Sequence, residues 1–296
     1  MRYVIGDIHG MYAKMTQALD YSGFNPDEDT LYGLGDFADR GPDSLKVIDY
    51  LMGLKDFRSV FGNHDMWLYQ FLRSDIQYVD REKFPSNSID FNHKYCGDKV
   101  LTWPEDSLLD GVATCWDNNG GRETMKSFAG TTEEKRKAVL SWLEKMPYRI
   151  ESGSFIIQHT FPSSYSRFFP DGDYSLTMKD MIDRNICRRD YDENLWNREI
   201  LKCSKAVCGD RARNCADAEV RGCITHKTMI IGHSPTPGFG LRPVPVYDST
   251  FNFILLDTGS FVTTDYGVKE DGTVTVYNMD TSEWHTSGGE SGVIEL

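Results

Sequence analysis

Three short apolar runs near the N-terminus each end in glycine followed by polar residues: "YVIGDIHG", "TLYGLGDFADRG" and "FRSVFGNHD". Between the first two, Met11, Met15, Ala18 and Leu19 recur at helical spacing, and "SGFNP" ends that pattern. Between the second and third, Pro42 opens another helix, with Leu45, Ile48, Leu51 and Met52 in helical period. Asp7 and Asp36 are 29 residues apart, and Asp36 and Asn63 are 27 apart. This is close to the roughly 30 residues of a strand, a crossover helix and a parallel strand. The repeat constrains the fold more than any other feature. It places each polar cluster at the carboxyl end of a parallel strand, on one edge of one sheet, where open α/β sheets hold their ligands.

The rest of the chain is expected to complete that layout within a single domain, residues 1–296. With 296 residues, 40% of them hydrophobic, a sizeable core needs no staples. Residues from about 66 to 147 carry no comparable strand and are read as a mostly helical insert, with Thr131 and Glu134 as a capping box near its end. Strands resume with "YRIES" and "FIIQHT", a hairpin around Ser152 and Gly153, and continue with "TMIIGHSP" and "FNFILLDTGS". A last hairpin, "KEDGTVTVY", is expected to turn at Asp271 and Gly272, and the last residues, "TSGGESGVIEL" and their neighbours, read as a loose tail.

The formal net charge of −13 argues against a nucleic-acid surface over the whole molecule. Anionic substrates would need local arginines or metal ions. No stretch approaches the roughly 18 apolar residues of a membrane helix, and the N-terminus lacks the layout of a signal peptide, so a cytoplasmic location is expected. Five of the seven cysteines, Cys187, Cys203, Cys208, Cys215 and Cys223, fall in one segment, unlike a disulfide framework spread over a secreted domain. Reduced thiols are the expectation.

Collected in order, the strand-end polar residues are Asp7 and His9; Asp36, Asp39 and Arg40; Asn63, His64 and Asp65; His159; and His233. Asp7 and His9, two apart on an extended segment, project to the same side. Asp, Asn and His together suit divalent transition ions, since calcium and magnesium cages favour oxygen alone and structural zinc favours thiolates. Six or more ligands are too many for one ion. A shared carboxylate such as Asp36 would hold two, the arrangement that activates water and clamps a phosphoryl oxygen.

As an ordered set, "GDIHG", "GDFADRG", "GNHD", the "QHT" and "GHSP" strand ends, "LWNREI" and "LLDTGS" resemble the metal-dependent serine/threonine phosphoprotein phosphatases of the calcineurin-like metallophosphoesterase superfamily, in their compact bacterial and bacteriophage branch. The resemblance runs from residue 5 to about 260. It implies an α/β metallophosphoesterase fold, a β-sandwich with flanking helices and a dinuclear site at the strand edge. It implies that Asp7, His9 and Asp36 hold one metal and that Asp36, Asn63, His159 and His233 hold the other, with Asp36 bridging. The metals expected are two manganese ions, with iron or zinc as alternatives. His64 is then the general acid, oriented by Asp39, and Arg40 and Arg198, with Asn63, bind the substrate phosphate. A hydroxide bridging the metals would attack phosphorus in line.

Substrate class divides on small departures. Asp65 stands where the protein phosphatases usually carry Glu, and the same Asp is usual in diadenosine tetraphosphate hydrolases of the superfamily. Asp39, by contrast, is retained where those hydrolases have a small residue. The expectation is therefore phosphomonoester hydrolysis on a phosphorylated protein or small phosphoester, with a nucleotide or polynucleotide phosphohydrolase as the alternative and a non-catalytic scaffold as a remote third. Between His159 and His233 lies a Cys-rich insert at about 184–227 with 10 Lys and Arg against 7 Asp and Glu. It is read as a basic flap that selects an anionic substrate. A structural zinc on its cysteines is disfavoured because no C-x-x-C pair is present.

Overall fold

The computed structural model describes residues 1–73, 116, 118–161, 174–183, 195–213 and 226–296. Two mixed sheets face one another, with helices on both outer surfaces. The first sheet begins with the predicted repeat: β1 (Arg2–Ile5), α1 (Tyr12–Ser22), β2 (Thr30–Gly33), α2 (Ser44–Gly53), β3 (Phe57–Ser59) and α3 (Asn63–Arg73). β1, β2 and β3 are parallel neighbours, Val4 opposite Tyr32 and Tyr32 opposite Arg58. Among the described residues of the insert are the helices α4 (Gly121–Ser127) and α5 (Glu133–Leu143). The N-terminus of α5 is capped by Thr132, whose side chain accepts from the Lys135 amide, one residue later than the capping box expected at Thr131.

The second sheet is formed by β4 (Arg149–Ser152), β5 (Phe155–Gln158), β6 (Thr228–Ile231), β7 (Val246–Asp248) and β8 (Phe253–Leu255), in the order β4-β5-β6-β8-β7. β5, β6 and β8 are parallel, and the β4–β5 hairpin predicted around Ser152 and Gly153 forms, with Gly153 and Ser154 in its turn. Among the described residues between β5 and β6 are the short helices α6 (Met178–Asp183), α7 (Glu199–Cys203) and α8 (Lys205–Cys208). The chain then returns to the first sheet with β9 (Thr275–Asn278), β10 (Glu283–Thr286) and β11 (Ser291–Val293), giving the order β11-β10-β9-β1-β2-β3. Here the structure corrects two expectations. Asp271 and Gly272 precede β9 instead of turning a hairpin, and the supposed loose tail holds β11 and, at its start, the end of β10. Its Ser, Gly and Glu content hid β11 because that strand lies at the sheet edge, where little side-chain burial is demanded.

Strand alternation sorts the core into layers. Val4, Tyr32, Phe155, Ile157, Ile230, Ile254 and Tyr277 point between the two sheets. Their neighbours Tyr3, Ile5, Leu31 and Val276 point outward, against α1, α2 and α3. Ile156, Met229, Ile231, Phe253 and Leu255 point outward on the second sheet, against Ile200, Leu201 and Val207 of α7 and α8. Period-2 burial on both faces explains why these strands read as continuous apolar runs.

Much of both inserts, including Cys187, Cys215 and Cys223, lies outside the described residues. Cys203 is disulfide-bonded and Cys208 is a free thiol, which corrects the expectation of reduced cysteines throughout. Among the described residues no helix is long and apolar enough to cross a membrane.

Ile254 sits in the middle of the sheet interface, fully buried between Ile230 and Tyr247 of the flanking strands. Ile254→Ala is expected to lower the free energy of unfolding by about 2–5 kcal/mol. Lys137→Ala, on the exposed face of α5, should change it by less than about 0.5 kcal/mol. Urea denaturation of the two variants checks both values.

Candidate active site

The strand ends of both sheets meet on one edge, and all the predicted site residues come to it. Asp7 and His9 follow β1; Asp36, Asp39 and Arg40 follow β2; Asn63, His64 and Asp65 begin α3; His159 follows β5; and His233 follows β6. Asp257, two residues after β8 in "LLDTGS", joins them as a fully buried carboxyl that the sequence reading quoted but gave no role. A carboxylate two residues past an apolar strand is the same signal that singled out Asp7. It went unused because no second polar ligand accompanied it.

Asp36 is the centre of the arrangement. Its Oδ2 lies 3.7 Å from His9 Nε2, 3.5 Å from His159 Nε2 and 4.0 Å from His64 Nε2. Its Oδ1 accepts a hydrogen bond from the His64 amide at 2.9 Å. Asn63 Oδ1 lies 3.1 Å from His159 Nε2 and 2.9 Å from His233 Nδ1. Asp7 Oδ2 accepts from the His233 amide at 2.8 Å, which ties the first sheet to the second. Two three-residue clusters share Asp36: His9, Asp36 and His64, and Asp36, His159 and His233, each with ligand atoms within 4.8 Å of one another. His64 is in the first group, and Asp7 lies outside both.

The chemistry of these donors fits divalent cations. His9 Nδ1 is 3.0 Å from the Ala38 carbonyl and His159 Nδ1 is 2.7 Å from the Leu34 carbonyl. A carbonyl only accepts, so each Nδ1 carries the proton and each Nε2 presents a lone pair toward the Asp36 carboxyl. Burial holds His9 well below its ordinary pKa and lowers His159 to about 4, so both rings are neutral near pH 7. Lone pairs therefore face lone pairs, an arrangement that a cation between them makes favourable. Asp7 Oδ1 and His233 Nε2 are likewise buried with no hydrogen-bond partner. The space around these groups is kept by glycine. A Cβ on Gly62 would lie 2.1 Å from Asp36 Oδ1, and one on Gly232 would lie 2.1 Å from Asp7 Oδ1. Burial also pushes Asp36, Asp65 and Asp257 up to about 7 and Asp7 well above the usual carboxylate range. Positive charge from bound ions would offset the confinement of so many carboxylates.

The backbone is strained where it presents these groups. Of the seven non-glycine residues with positive φ among those described, five are His9, Asp36, Asp39, Arg40 and His233. Such conformations cost of order 1–3 kcal/mol each. Asp65 offsets part of this, because its carboxyl accepts from the amides of Asp36, Phe37 and Gly62 at 2.7, 3.1 and 2.8 Å.

On the other side of Asp36 lies the pair read as acid and orienter. His64 Nδ1 is 2.6 Å from Asp39 Oδ2, and both side chains are buried. Arg40 Nη2 is 3.2 Å from His64 Nε2, and its guanidinium lies 3.8 Å from the centre of the Phe261 ring. Arg198 is held by Nε donation to Ser234 Oγ at 3.0 Å, beside His233. Trp67 packs edge-on to His64 and Trp196 edge-on to His233. Trp67 and Phe261 carried no sequence signal, and Trp196, inside "LWNREI", was given no role of its own.

The shared position of Asp36 makes a specific demand on metal content. Chain loaded with manganese should carry two ions by mass spectrometry, and Asp36→Asn should retain less than one. Retention of two ions by the variant would show that Asp36 is not a shared ligand. Chelation of the parent protein should also lower its thermal midpoint, because ions bound only to the folded state stabilise it by mass action.

The calcineurin-like phosphoesterase family model matches residues 2–196. Among curated proteins, the symmetrical bis(5'-nucleosyl)-tetraphosphatase of Photorhabdus laumondii subsp. laumondii is 49% identical over 67 residues, 22% of this chain and 24% of that protein. The enzyme of the same name from Buchnera aphidicola subsp. Acyrthosiphon pisum (strain 5A) is 51% identical over 65 residues, 22% and 24% of the two chains. The match thus spans about a quarter of the length of these relatives. Among solved structures, the cold-active protein-tyrosine phosphatase of a psychrophilic Shewanella species superposes with a TM-score of 0.56 at 14% identity, covering 99% of this chain and 80% of that one. That likeness shows the fold alone. Taken with the strand-edge cluster of His and Asp, the match over residues 2–196 shows that the chain belongs to the calcineurin-like phosphoesterase family.

Proposed function

We propose that the protein is a phosphomonoester hydrolase of the serine/threonine phosphatase type, working with two divalent ions, manganese first among them. The observation that carries the reading is the buried Asp39–His64 pair at 2.6 Å, with His64 Nε2 facing both Asp36 and Arg40. Asp7, His9 and Asp36 would hold one ion, and Asp36, Asn63, His159 and His233 the other. Bound there, the ions would supply a hydroxide nucleophile at neutral pH and positive charge for the phosphoryl oxygens.

The protein's own groups do the rest. Arg40 and Arg198 hold the phosphoryl oxygens, since a planar guanidinium matches two oxygens at once. With the phosphate bound, Arg40 turns from His64 Nε2 to the anion. His64 is then free to hold a proton at Nε2 and pass it to the leaving oxygen, while Asp39 fixes the ring through Nδ1 and stabilises its charged form. No side-chain nucleophile is required. Trp67, Trp196 and Phe261 wall the site and limit the approach of water.

A second reading, cleavage of a dinucleoside tetraphosphate, draws support from the name of the relatives that match 65–67 residues of the chain. Asp65 lends it little. That carboxyl is fully buried and spent on three backbone amides, so its length relative to Glu bears on loop geometry and not on the substrate. Asp39, with a defined partner, favours the first reading.

A general acid matters in proportion to the basicity of the leaving group. His64→Asn is expected to lose roughly 10²–10⁴-fold in turnover on phosphoserine and less on p-nitrophenyl phosphate. Paired kinetics with metal content measured on the same samples check this, and an equal loss on both substrates would remove His64 from the role of acid. A manganese-supplemented panel of phosphopeptides, diadenosine tetraphosphate and phosphorylated RNA ends separates the two readings. A phosphopeptide kcat/KM about tenfold above the rest supports the first, and the opposite ranking supports the second.

A further inference from the structure

We propose that Thr124 and Trp116, in the segment inserted between α3 and β4, are positioning residues of the acid pair: they aim the Asp39 carboxylate at His64 and make the insert part of the catalytic apparatus. The inference rests on the reading of His64 as the acid.

Asp39 has no exposed surface, and a buried carboxylate needs donors. Its oxygens receive three. Oδ2 is met by His64 Nδ1 at 2.6 Å and by Trp116 Nε1 at 2.8 Å, and Oδ1 by Thr124 Oγ1 at 2.6 Å. The "GDFADRG" motif and its strand-end neighbours supply only the first of these. Without the other two, the carboxylate would hold His64 at one oxygen while the second oxygen lay buried and unsolvated, free to rotate or to take a proton. Indole N–H is a donor only, so Trp116 favours the ionised form of Asp39, the form that orients an imidazolium. Both contacts work against the upward push of burial on this carboxyl.

Thr124 does more than donate. Its Oγ1 also accepts from the Asp39 amide at 2.8 Å, and Ser44 Oγ lies 3.1 Å away, within hydrogen-bond reach. One hydroxyl therefore ties both the backbone and the carboxylate of Asp39. Asp39 and Arg40 are consecutive residues with positive φ, 73° and 68°. The insert secures the second as well, because the Arg40 amide donates to the Gly120 carbonyl at 3.1 Å. Approach is so close that a Cβ on Gly120 would lie 2.4 Å from the Arg40 nitrogen. Helix α4 is itself anchored on the core, with Ser127 Oγ accepting from the Leu45 amide near the start of α2 at 2.8 Å. The insert thus reaches back to fix two residues that the family motif leaves in a strained turn. A residue acting in this way influences proton delivery to the leaving oxygen. It touches neither the metal cluster nor the phosphate.

The test compares Thr124→Val, which keeps the shape and removes the hydroxyl, with Thr124→Ser, which keeps the hydroxyl. Trp116→Phe removes the indole donor independently. Each is measured on phosphoserine and on p-nitrophenyl phosphate in the manganese-loaded protein, alongside His64→Asn. Thr124→Val is expected to lose about tenfold or more in kcat on phosphoserine and to lose less, about threefold, on p-nitrophenyl phosphate. KM and metal content should stay within about twofold, Thr124→Ser should recover most of the loss, and Trp116→Phe should follow the same asymmetry. Equal losses of Thr124→Val on both substrates, or failure of Thr124→Ser to recover activity, overturn the proposal if His64→Asn still shows the leaving-group asymmetry. If His64→Asn shows none, the reading of His64 as acid fails, and the proposal with it. Should Thr124→Val not yield folded protein by circular dichroism, Trp116→Phe decides the question by the same criteria.

Discussion

The packing of Asp36 is the constraint on which the rest of the site depends. One buried carboxyl accepts the His64 amide and faces the imidazoles of His9, His64 and His159 across 3.5–4.0 Å. Carbonyls of Ala38 and Leu34 pin two of those rings by their Nδ1 protons, so the lone pairs converge. Nothing in a protein interior makes such convergence favourable except a cation or a proton. The upward shift of Asp36 to about 7, caused first by burial, expresses the same demand.

Holding that arrangement requires the backbone to be bent where sterics resist. His9, Asp36, Asp39, Arg40 and His233 all lie at positive φ, and their turns are cross-tied. The amides of Ile8 and His9 donate to the Asp36 carbonyl, the amide of Gly10 to the Phe37 carbonyl, and the amide of His233 to Asp7. Asp65 takes three more amides. Because the two sheets share their apolar interior, a shift in one would move ligands supplied by the other. The interior therefore bears on ligand geometry as well as on stability.

The surroundings of the Asp39–His64 pair follow a different logic. The residues able to hold metal come from strand ends, where sheet geometry brings them together. Asp39 depends on Thr124 and Trp116, which come from a region whose length and composition say little about where it docks. Arg40 depends on Gly120 for its backbone and on Phe261 for its guanidinium, the latter from the loop after β8. The His and Asp cluster is thus assembled at the sheet edge, and the surroundings of the Asp39–His64 pair are completed by segments outside it.

The sequence by itself determined the parallel β1–β2–β3 unit, the strand-end placement of Asp7, His9, Asp36, Asn63, His159 and His233, and the kind of ion these residues suit. Such features follow from periodicity and donor type, which are local. It gave no sign that the last residues pair as β10 and β11 or that Cys203 is disulfide-bonded, and it placed the cap of α5 one residue early, at Thr131. Nor did it single out Asp257, Trp116, Thr124 or Phe261. A threonine in a short helix and a tryptophan in an insert read as ordinary filling until the chain folds back and a buried carboxylate needs their protons. Only tertiary structure decided those contacts, because the need for a donor at Asp39 arises from desolvation, and desolvation is a property of the packed molecule and not of any stretch of residues.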